Sequence, residues 1–205
     1  ALNRNILLMR EMNHRVKNNL ATIQSLLRIQ SQQTMDEKSR MVLIESESRL
    51  KSITHLHQML SKDVDLNKVN VVSYIHKLVN DITSAFDNDT TKIKIEMDIQ
   101  EVDLDMNILV PFALILNELI TNAFKYAFKD NRKGILKISL AELNNNQVAL
   151  SVQDNGVGLP PDFDPEKIDS LGTIIIRLLI EQIKGELKYS SEPGKGTIFK
   201  VSFNK

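Results

Sequence analysis

The sequence predicts an α+β chain in two parts: an N-terminal antiparallel helical hairpin, then a two-layer α/β sandwich with a mixed sheet. Three observations carry this. From Leu2 to Gln33 there is neither Pro nor Gly, and apolar residues recur every seven positions. Beyond Lys68, short alternating apolar runs mix with helical patterns, without the regular βαβ rhythm of an all-parallel sheet. Clusters of Asp, Asn, Gly and Pro separate these runs. The predicted parts are a hairpin over 1–64 and the layered domain over 65–205.

In the first helix, Ile6, Asn13, Leu20 and Leu27 form one heptad row and Leu2, Met9, Val16 and Ile23 another. Asn13 is the polar exception, the kind of residue that sets register. Thr34-Met35-Asp36 reads as a short connection, with Thr34 or Asp36 able to cap the next helix. That helix runs to about Leu60, with Leu43, Leu50, Ile53, Leu56 and Leu60 as its expected inner face. A lone hairpin exposes its seam, so a second copy is expected to close a four-helix bundle through residues 1–60.

Ser61–Lys68 is a polar connector, and Val71 to about Phe86 carries a third amphipathic helix. Asp87-Asn88-Asp89 is a turn, and Ile93, Ile95, Met97 and Ile99 alternate as a strand. A helix begins at Asp105 or Asn107, with Pro111 in its first turns, and ends near Phe128. After a turn at Asp130–Gly134, strands over Ile135–Ala141 and Val148–Gln153 are joined by Asn144-Asn145-Asn146. A Gly- and Pro-containing loop covers Asp154–Ser170. A helix follows over Ile174–Ile183, ended by Gly185. Leu187–Ser191 and Thr197–Phe203 form a closing strand pair.

Composition is that of an ordinary globular protein: 42% hydrophobic, 25% charged, formal net charge zero. No strong field favours nucleic acid or an anionic membrane. The absence of cysteine excludes disulfides, thiol nucleophiles and thiolate zinc sites, and fits a reducing cytosol. No run of 18 apolar residues and no signal peptide is visible, so no membrane span is expected. The start at Ala1, already inside a helical pattern, reads as a piece of something longer.

The centre of the chain is Leu116-Asn117-Glu118-Leu119-Ile120-Thr121-Asn122-Ala123-Phe124-Lys125-Tyr126. As a helix it places Leu116, Leu119, Ile120 and Ala123 on one stripe and Glu118, Asn122 and Lys125 on another. A carboxylate, an amide and an amine on one face can serve a metal and a phosphate chain, or simply be solvated. Asp154-Asn155-Gly156-Val157-Gly158 follows a strand directly. It suits either an ordinary turn or close backbone approach to a ligand, with Asp154 able to accept from an exocyclic amine. Ser170-Leu171-Gly172-Thr173 precedes a helix, whose N-terminus can receive phosphate. Gly194-Lys195-Gly196-Thr197 is either a hairpin turn or a ligand contact. His55, His57 and His76 have no such context and read as structural or exposed.

In this order these pieces resemble the ATP-binding domain of sensor histidine kinases, shared in outline with DNA gyrase, the Hsp90 chaperone and MutL-type repair ATPases. The resemblance covers about Val69–Phe203. It implies an N box over Asn117–Tyr126, with Asn122 the Mg²⁺ ligand, Glu118 a base-like glutamate one turn earlier, Lys125 a phosphate contact and Tyr126 an aromatic beside the nucleotide. It implies that Asp154, with Gly156 and Gly158, reads the adenine amine, that Gly172 lies beside a mobile lid, and that Thr197 lies near the adenine pocket.

Glu11-Met12-Asn13-His14-Arg15-Val16-Lys17-Asn18-Asn19-Leu20 is similar to the phosphoacceptor box of the subclass with His-Arg-x-x-Asn, related to the HWE kinases. His14 lies next to a seam position, so it should be reachable on the bundle flank. A neutral imidazole is a competent nucleophile, and Arg15 and Lys17 can steady phosphate charge. Glu11, one turn back, is the expected substitute for the acidic neighbour that other subclasses carry, and Asn18, one turn on, faces the same side. The chain has no Trp, so it departs from the Trp-x-Glu signature of those relatives, and Thr173-Ile174-Ile175-Ile176 replaces the usual start of the lid helix.

The resemblance thus implies autophosphorylation of His14 from ATP with Mg²⁺, then transfer to an aspartate of a response regulator, in a cytoplasmic homodimer whose sensor lies outside this chain. Two alternatives share the fold: an ATPase or serine/threonine kinase, and a non-catalytic dimer scaffold.

Overall fold

The computed structural model describes residues 2–62, 70–85, 93–128, 133–143, 146–161, 163–164 and 170–205. The expected turns at Asp87–Asp89 and Asn144-Asn145, and part of the Asp154–Ser170 loop, lie outside the described residues. The chain forms two compact units, divided between Val69 and Asn70.

The first unit is a hairpin of α1 (Leu2–Gln33) and α2 (Glu37–Lys62). Its link uses both candidate caps, but for different ends. The Thr34 hydroxyl donates to the Gln30 carbonyl at 2.7 Å and closes α1, whereas Asp36 Oδ2 accepts the Ser39 N–H at 2.8 Å and opens α2.

Leu43, Leu50 and Ile53 are only half-buried, while Arg49, Ser52 and Thr54 are buried, as is Ser31 of α1. The side chains of Leu56 and Leu60 lie outside the described residues. Gln24 Nε2 donates to Thr54 Oγ1 at 3.2 Å across the pair, and Arg49 meets Glu45 at 3.4 Å. Thr54 thus takes part in the contact between the two helices, and Leu43, Leu50 and Ile53 keep part of their surface exposed. Val16, Ile23, Leu26 and Ile29 of α1 remain 39–56% exposed. Two helices cannot cover apolar stripes this wide by themselves.

The second unit contains α3 (Val71–Ala85), β1 (Ile93–Ile99), α4 (Met106–Asn122), β2 (Gly134–Leu143), β3 (Gln147–Asp154), α5 (Leu171–Gln182), β4 (Glu186–Glu192) and β5 (Gly196–Asn204). The five strands lie in the order β1-β2-β3-β5-β4. Only β1 and β2 run parallel, joined through α4; the other pairs are antiparallel. This is the predicted mixed sheet.

One sheet face carries Leu136, Ile138, Leu140, Val148, Leu150, Val152, Val201 and Phe203, all at most 3% exposed. Successive strand side chains alternate faces, so the intervening Lys137, Gln153 and Lys200 stay exposed. The apolar face meets α4, whose Phe112 ring lies 6.0 Å from that of Phe203. Helices α3 and α5 flank α4 in the same layer. The stretch Asn107–Ala127 has the length and apolar character of a membrane span, but most of it is buried in this core.

Asp105 caps α4 by accepting the Asn107 N–H at 3.2 Å. Pro111 stands six residues in, one turn deeper than its missing donor could be ignored, so α4 forgoes one backbone bond there. Helix α5 starts at Leu171, three residues before the expected Ile174, because the Ser170 hydroxyl accepts the Thr173 N–H at 3.3 Å. Its C-terminus also differs. Lys184, not Gly185, takes the left-handed conformation (φ 50°). Its N–H bonds to Glu181 O, while Gly185 N–H reaches back to Ile180 O at 2.9 Å.

Candidate functional site

Asp154 is the last residue of β3 and continues the inward row Val148, Leu150, Val152. Strand alternation therefore drives a carboxylate into the end of an apolar face, where it is 7% exposed. Oδ1 accepts the Gly156 N–H at 2.8 Å and the Thr197 N–H at 3.2 Å. Oδ2 receives neither of these bonds. Burial pushes the Asp154 carboxyl above its ordinary range, and the backbone N–H groups of Gly156, Thr197 and Asp154 itself only partly oppose this.

The loop after Asp154 is laced to three other elements. Asn155 Oδ1 accepts the Ile135 N–H at 2.7 Å, and its own N–H bonds to Ile135 O at 3.2 Å. The side chain thus replaces the next backbone partner of β2 and turns the chain out of the sheet. Val157 N–H donates to the Ala127 carbonyl at 3.0 Å, and Gly194 N–H to the Val157 carbonyl at 2.8 Å. Leu159 N–H donates to Ser191 Oγ at 2.8 Å. A Cβ on Gly156 would strike Ala127, and one on Gly196 (φ 106°) would strike the Asp154 carbonyl. These two glycines are required by close backbone approach. Gly158 has φ 78°.

Opposite this loop stands the end of α4. Leu116, Leu119, Ile120 and Ala123 are buried as their spacing predicts. The polar set is less regular than a single α-helical stripe. Helix α4 gives way to a π-turn over Ala123–Ala127, in which hydrogen bonds span five residues and the backbone widens. Glu118 is buried at 3%, beside buried Asn117, and it has partners within the protein. Asn122 and Lys125 are half-buried, and Tyr126 is 55% exposed. The Asn122 amide makes no capping bond at the junction. Among the described residues, Thr121 Oγ1 is buried without a hydrogen-bond partner. Through the Val157–Ala127 bond, the π-turn and the Asp154 loop are one assembly.

Gly172 is not in a loop before a helix, as its spacing suggested, but the second residue of α5. In the hairpin unit, His14, Arg15, Lys17 and Asn18 are all exposed along α1. The side chain of Glu11 lies outside the described residues, as does that of His57; His55 is half-buried and His76 exposed. Among the described residues, no three His, Cys, Asp or Glu side chains group as a metal cluster.

Two residues that hold the site together escaped sequence reasoning. Asn155 carried a signal, since Asn side chains imitate turn backbone. Ser191 carried none: its partner Leu159 is 32 positions away, and nothing local pairs them.

Comparison with known proteins matches residues 11–86 to the Histidine kinase family and residues 107–205 to the Histidine kinase-, DNA gyrase B-, and HSP90-like ATPase family. The chain belongs to the histidine kinase family. Over 192 residues this kinase is 37% identical to the sensor histidine kinase PdtaS of Mycolicibacterium smegmatis, covering 92% of the chain and 38% of PdtaS. It is 28% identical to blue-light-activated histidine kinase 2 of Erythrobacter litoralis, covering 93% of the chain and 55% of that protein. The kinase thus spans about two fifths to one half of these curated relatives. The histidine kinase domain of the E. litoralis EL346 blue-light kinase superposes with a TM-score of 0.73 at 22% identity, covering 95% of this chain and 94% of that one.

Proposed function

We propose that this kinase phosphorylates itself on His14 from ATP and passes the phosphoryl group to an aspartate of a response regulator in two-component signalling. The observation that carries this reading is an exposed imidazole on α1 in the same chain as an ATPase-family site. In the step proposed, an unprotonated imidazole nitrogen forms an N–P bond as the bond from the γ-phosphorus to the bridging oxygen breaks. ADP leaves with that electron pair, and the ring's other nitrogen keeps its proton until a base takes it. Glu11 is the proposed base, with Arg15, Lys17 and Asn18 handling phosphate charge on the same helix.

ATP enters this account as substrate. The buried Asp154 carboxylate, with Oδ2 outside its backbone bonds, suits the exocyclic amine of adenine, and Thr197 is bound to the same carboxylate. Gly156 and Gly158 let the backbone pass close to the ligand, and Gly172 lies in the first turn of α5, where N–H groups favour phosphate. Lys125 and Tyr126, on the π-turn, are proposed as a phosphate contact and an aromatic beside the nucleotide.

Mg²⁺ fits this donor set. It takes few protein ligands and the remainder from phosphates and water, and the Asn122 amide, uncommitted to capping, offers a hard oxygen. When bound, the ion neutralises charge on the β- and γ-phosphates. Glu118, buried one turn from Asn122, is proposed as the base-like glutamate of the site.

We propose a homodimer through residues 1–60, supported by the exposed Val16, Ile23, Leu26 and Ile29, and a cytoplasmic location for this part of the protein. The test is incubation with γ-labelled ATP of wild type and His14→Gln, followed by acid treatment. Acid-labile label lost in His14→Gln is the expected result. Label that persists and resists acid points to a serine/threonine kinase of the same fold. No label with rapid phosphate release points to an ATPase, and no Mg²⁺-dependent nucleotide binding points to a scaffold.

A further inference from the structure

Gly134 opens β2 and is buried, and its backbone is not left-handed, so no conformational need calls for glycine there. The need is for space. A Cβ on Gly134 would overlap Cδ1 and Cε1 of the Phe128 ring and stand 3.0 Å from Asn155 Oδ1. Phe128 is the residue at which the π-turn over Ala123–Ala127 ends, and its φ of −109° and ψ of 49° belong to neither helix nor strand. Phe128 is 7% exposed, and its ring lies edge-on to that of Phe124 with centroids 6.4 Å apart. The exit of the π-turn is therefore held from two sides. Ala127 is fixed by the Val157 N–H and by close approach of Gly156, and Phe128 is seated against Gly134.

A π-turn closes its hydrogen bonds over five residues where an α-helix closes them over four. Residues beyond Asn122 thus stand at a different angle around the helix axis from the one an unbroken α4 would give them. Lys125 and Tyr126 are such residues. We infer that Gly134 is a positioning residue for the nucleotide: by seating the Phe128 ring it holds the π-turn, and the π-turn sets where Lys125 stands relative to Asn122. This rests on the reading of Lys125 as a phosphate contact. A methyl group on Gly134 meets a side chain and not backbone, so the ring moves and the fold is kept. With its exit released, the segment closes as the commoner α-helix and carries Lys125 round the axis. Asp154 owes its inward place to alternation along β3, not to the π-turn. A fault at Gly134 therefore falls on the phosphates and spares the base.

The experiment measures equilibrium binding of ATP and of adenosine to the full chain with Mg²⁺. The variants are Gly134→Ala, Phe128→Leu, Lys125→Ala and the pairs of Gly134→Ala with each of the other two. Gly134→Ala should weaken ATP binding about tenfold, the lower end for a hydrogen bond to a charged group, and leave adenosine binding within about twofold. Added to Lys125→Ala, it should cost ATP little further, because it acts through Lys125. Phe128→Leu, which empties the seat without overpacking, should show the same selective loss at smaller size. Gly134→Ala with Phe128→Leu should recover most of the ATP affinity, since the shorter side chain makes room for the methyl group. These last two variants carry the test if Gly134→Ala alone fails to melt cooperatively. An equal loss for adenosine and ATP, or a full further loss on top of Lys125→Ala, overturns the inference and leaves Gly134 a packing residue. ATP affinity that ignores both Gly134→Ala and Phe128→Leu overturns it as well. Wild type that binds no ATP, or a Lys125→Ala variant that binds it as well as wild type does, overturns the underlying reading of the site and this inference with it.

Discussion

The Val157 N–H donates to the Ala127 carbonyl at 3.0 Å, and this bond joins the loop after Asp154 to the π-turn after Asn122. The two sides of the candidate site are 30 residues apart in sequence and one hydrogen bond apart in space. A π-turn holds its backbone bonds less regularly than an α-helix and persists where other contacts fix it. The Ala127 carbonyl, engaged by Val157 and flanked by Gly156, is such a contact.

Gly156→Ala is therefore expected to push Cβ into Ala127 and part the two walls. Stability should fall by about 1–3 kcal/mol, the usual range for overpacking. Gly194 has open space around its absent Cβ but a φ of 77°, so Gly194→Ala should cost only about 1 kcal/mol of backbone strain. Denaturant melts of both variants beside ATP titrations check the contrast: ATP binding is lost in the first and largely kept in the second.

Asp154→Asn should separate stability from binding. The amide oxygen can still accept from Gly156 and Thr197, but an NH₂ group replaces Oδ2. Because the Asp154 carboxyl titrates above its ordinary value of 3.8, the folded state holds more protons than the unfolded chain through that window. Its contribution to stability is thus greatest below pH 3.8 and falls as pH rises through the elevated folded value. Asn removes this term. At neutral pH the ligand-free variant should melt no lower than wild type, and the difference between them should shrink as the pH is lowered toward 4. Its ATP affinity should fall about 10–100-fold, the worth of a charged hydrogen bond. Thermal melts from pH 4 to 7 and calorimetric titration measure the two effects.

Lys184→Gly should stabilise the fold. Lys184 occupies the left-handed position that ends α5, at φ 50°, while Gly185 takes the next position. Glycine relieves the Cβ clash there, so a gain of about 1 kcal/mol is expected, read as a higher midpoint in urea with an unchanged slope.

Ile23→Lys and Leu26→Lys place charges on the exposed apolar side of α1 without touching the bonds that close the hairpin. Burying one such side chain per copy is worth about 1.5–3 kcal/mol, hence about 3–6 kcal/mol per dimer. Sedimentation equilibrium should show dissociation to monomers, with helix content by circular dichroism retained. A dimer that survives both changes would place its contact elsewhere.

Much of this protein was legible in the order of its residues. Heptad spacing in Leu2–Gln33, alternation in β1, β2 and β3, and the apolar stripe of α4 reflect interactions between near neighbours, which local periodicity records. The pieces of the candidate site were visible for the same reason: Asp154 and its glycines sit together in the chain, as do Asn117 through Tyr126. Some local choices went the other way on equally local grounds, as where the Ser170 cap starts α5 early or Lys184 takes the turn expected of Gly185.

What only the tertiary structure decided is how distant groups share protons and space. Polar Arg49, Ser52 and Thr54 are buried in the hairpin unit, and Thr54 finds its partner in Gln24 of the other helix, 30 positions away. The π-turn exists in company with Val157, and the depth of Asp154 comes from the sheet face around it. The Ser191 hydroxyl has meaning only beside Leu159, Gly196 and Thr197. A hydrogen bond needs both partners within about 3 Å, and no pattern along one strand states which remote residue the fold will bring there.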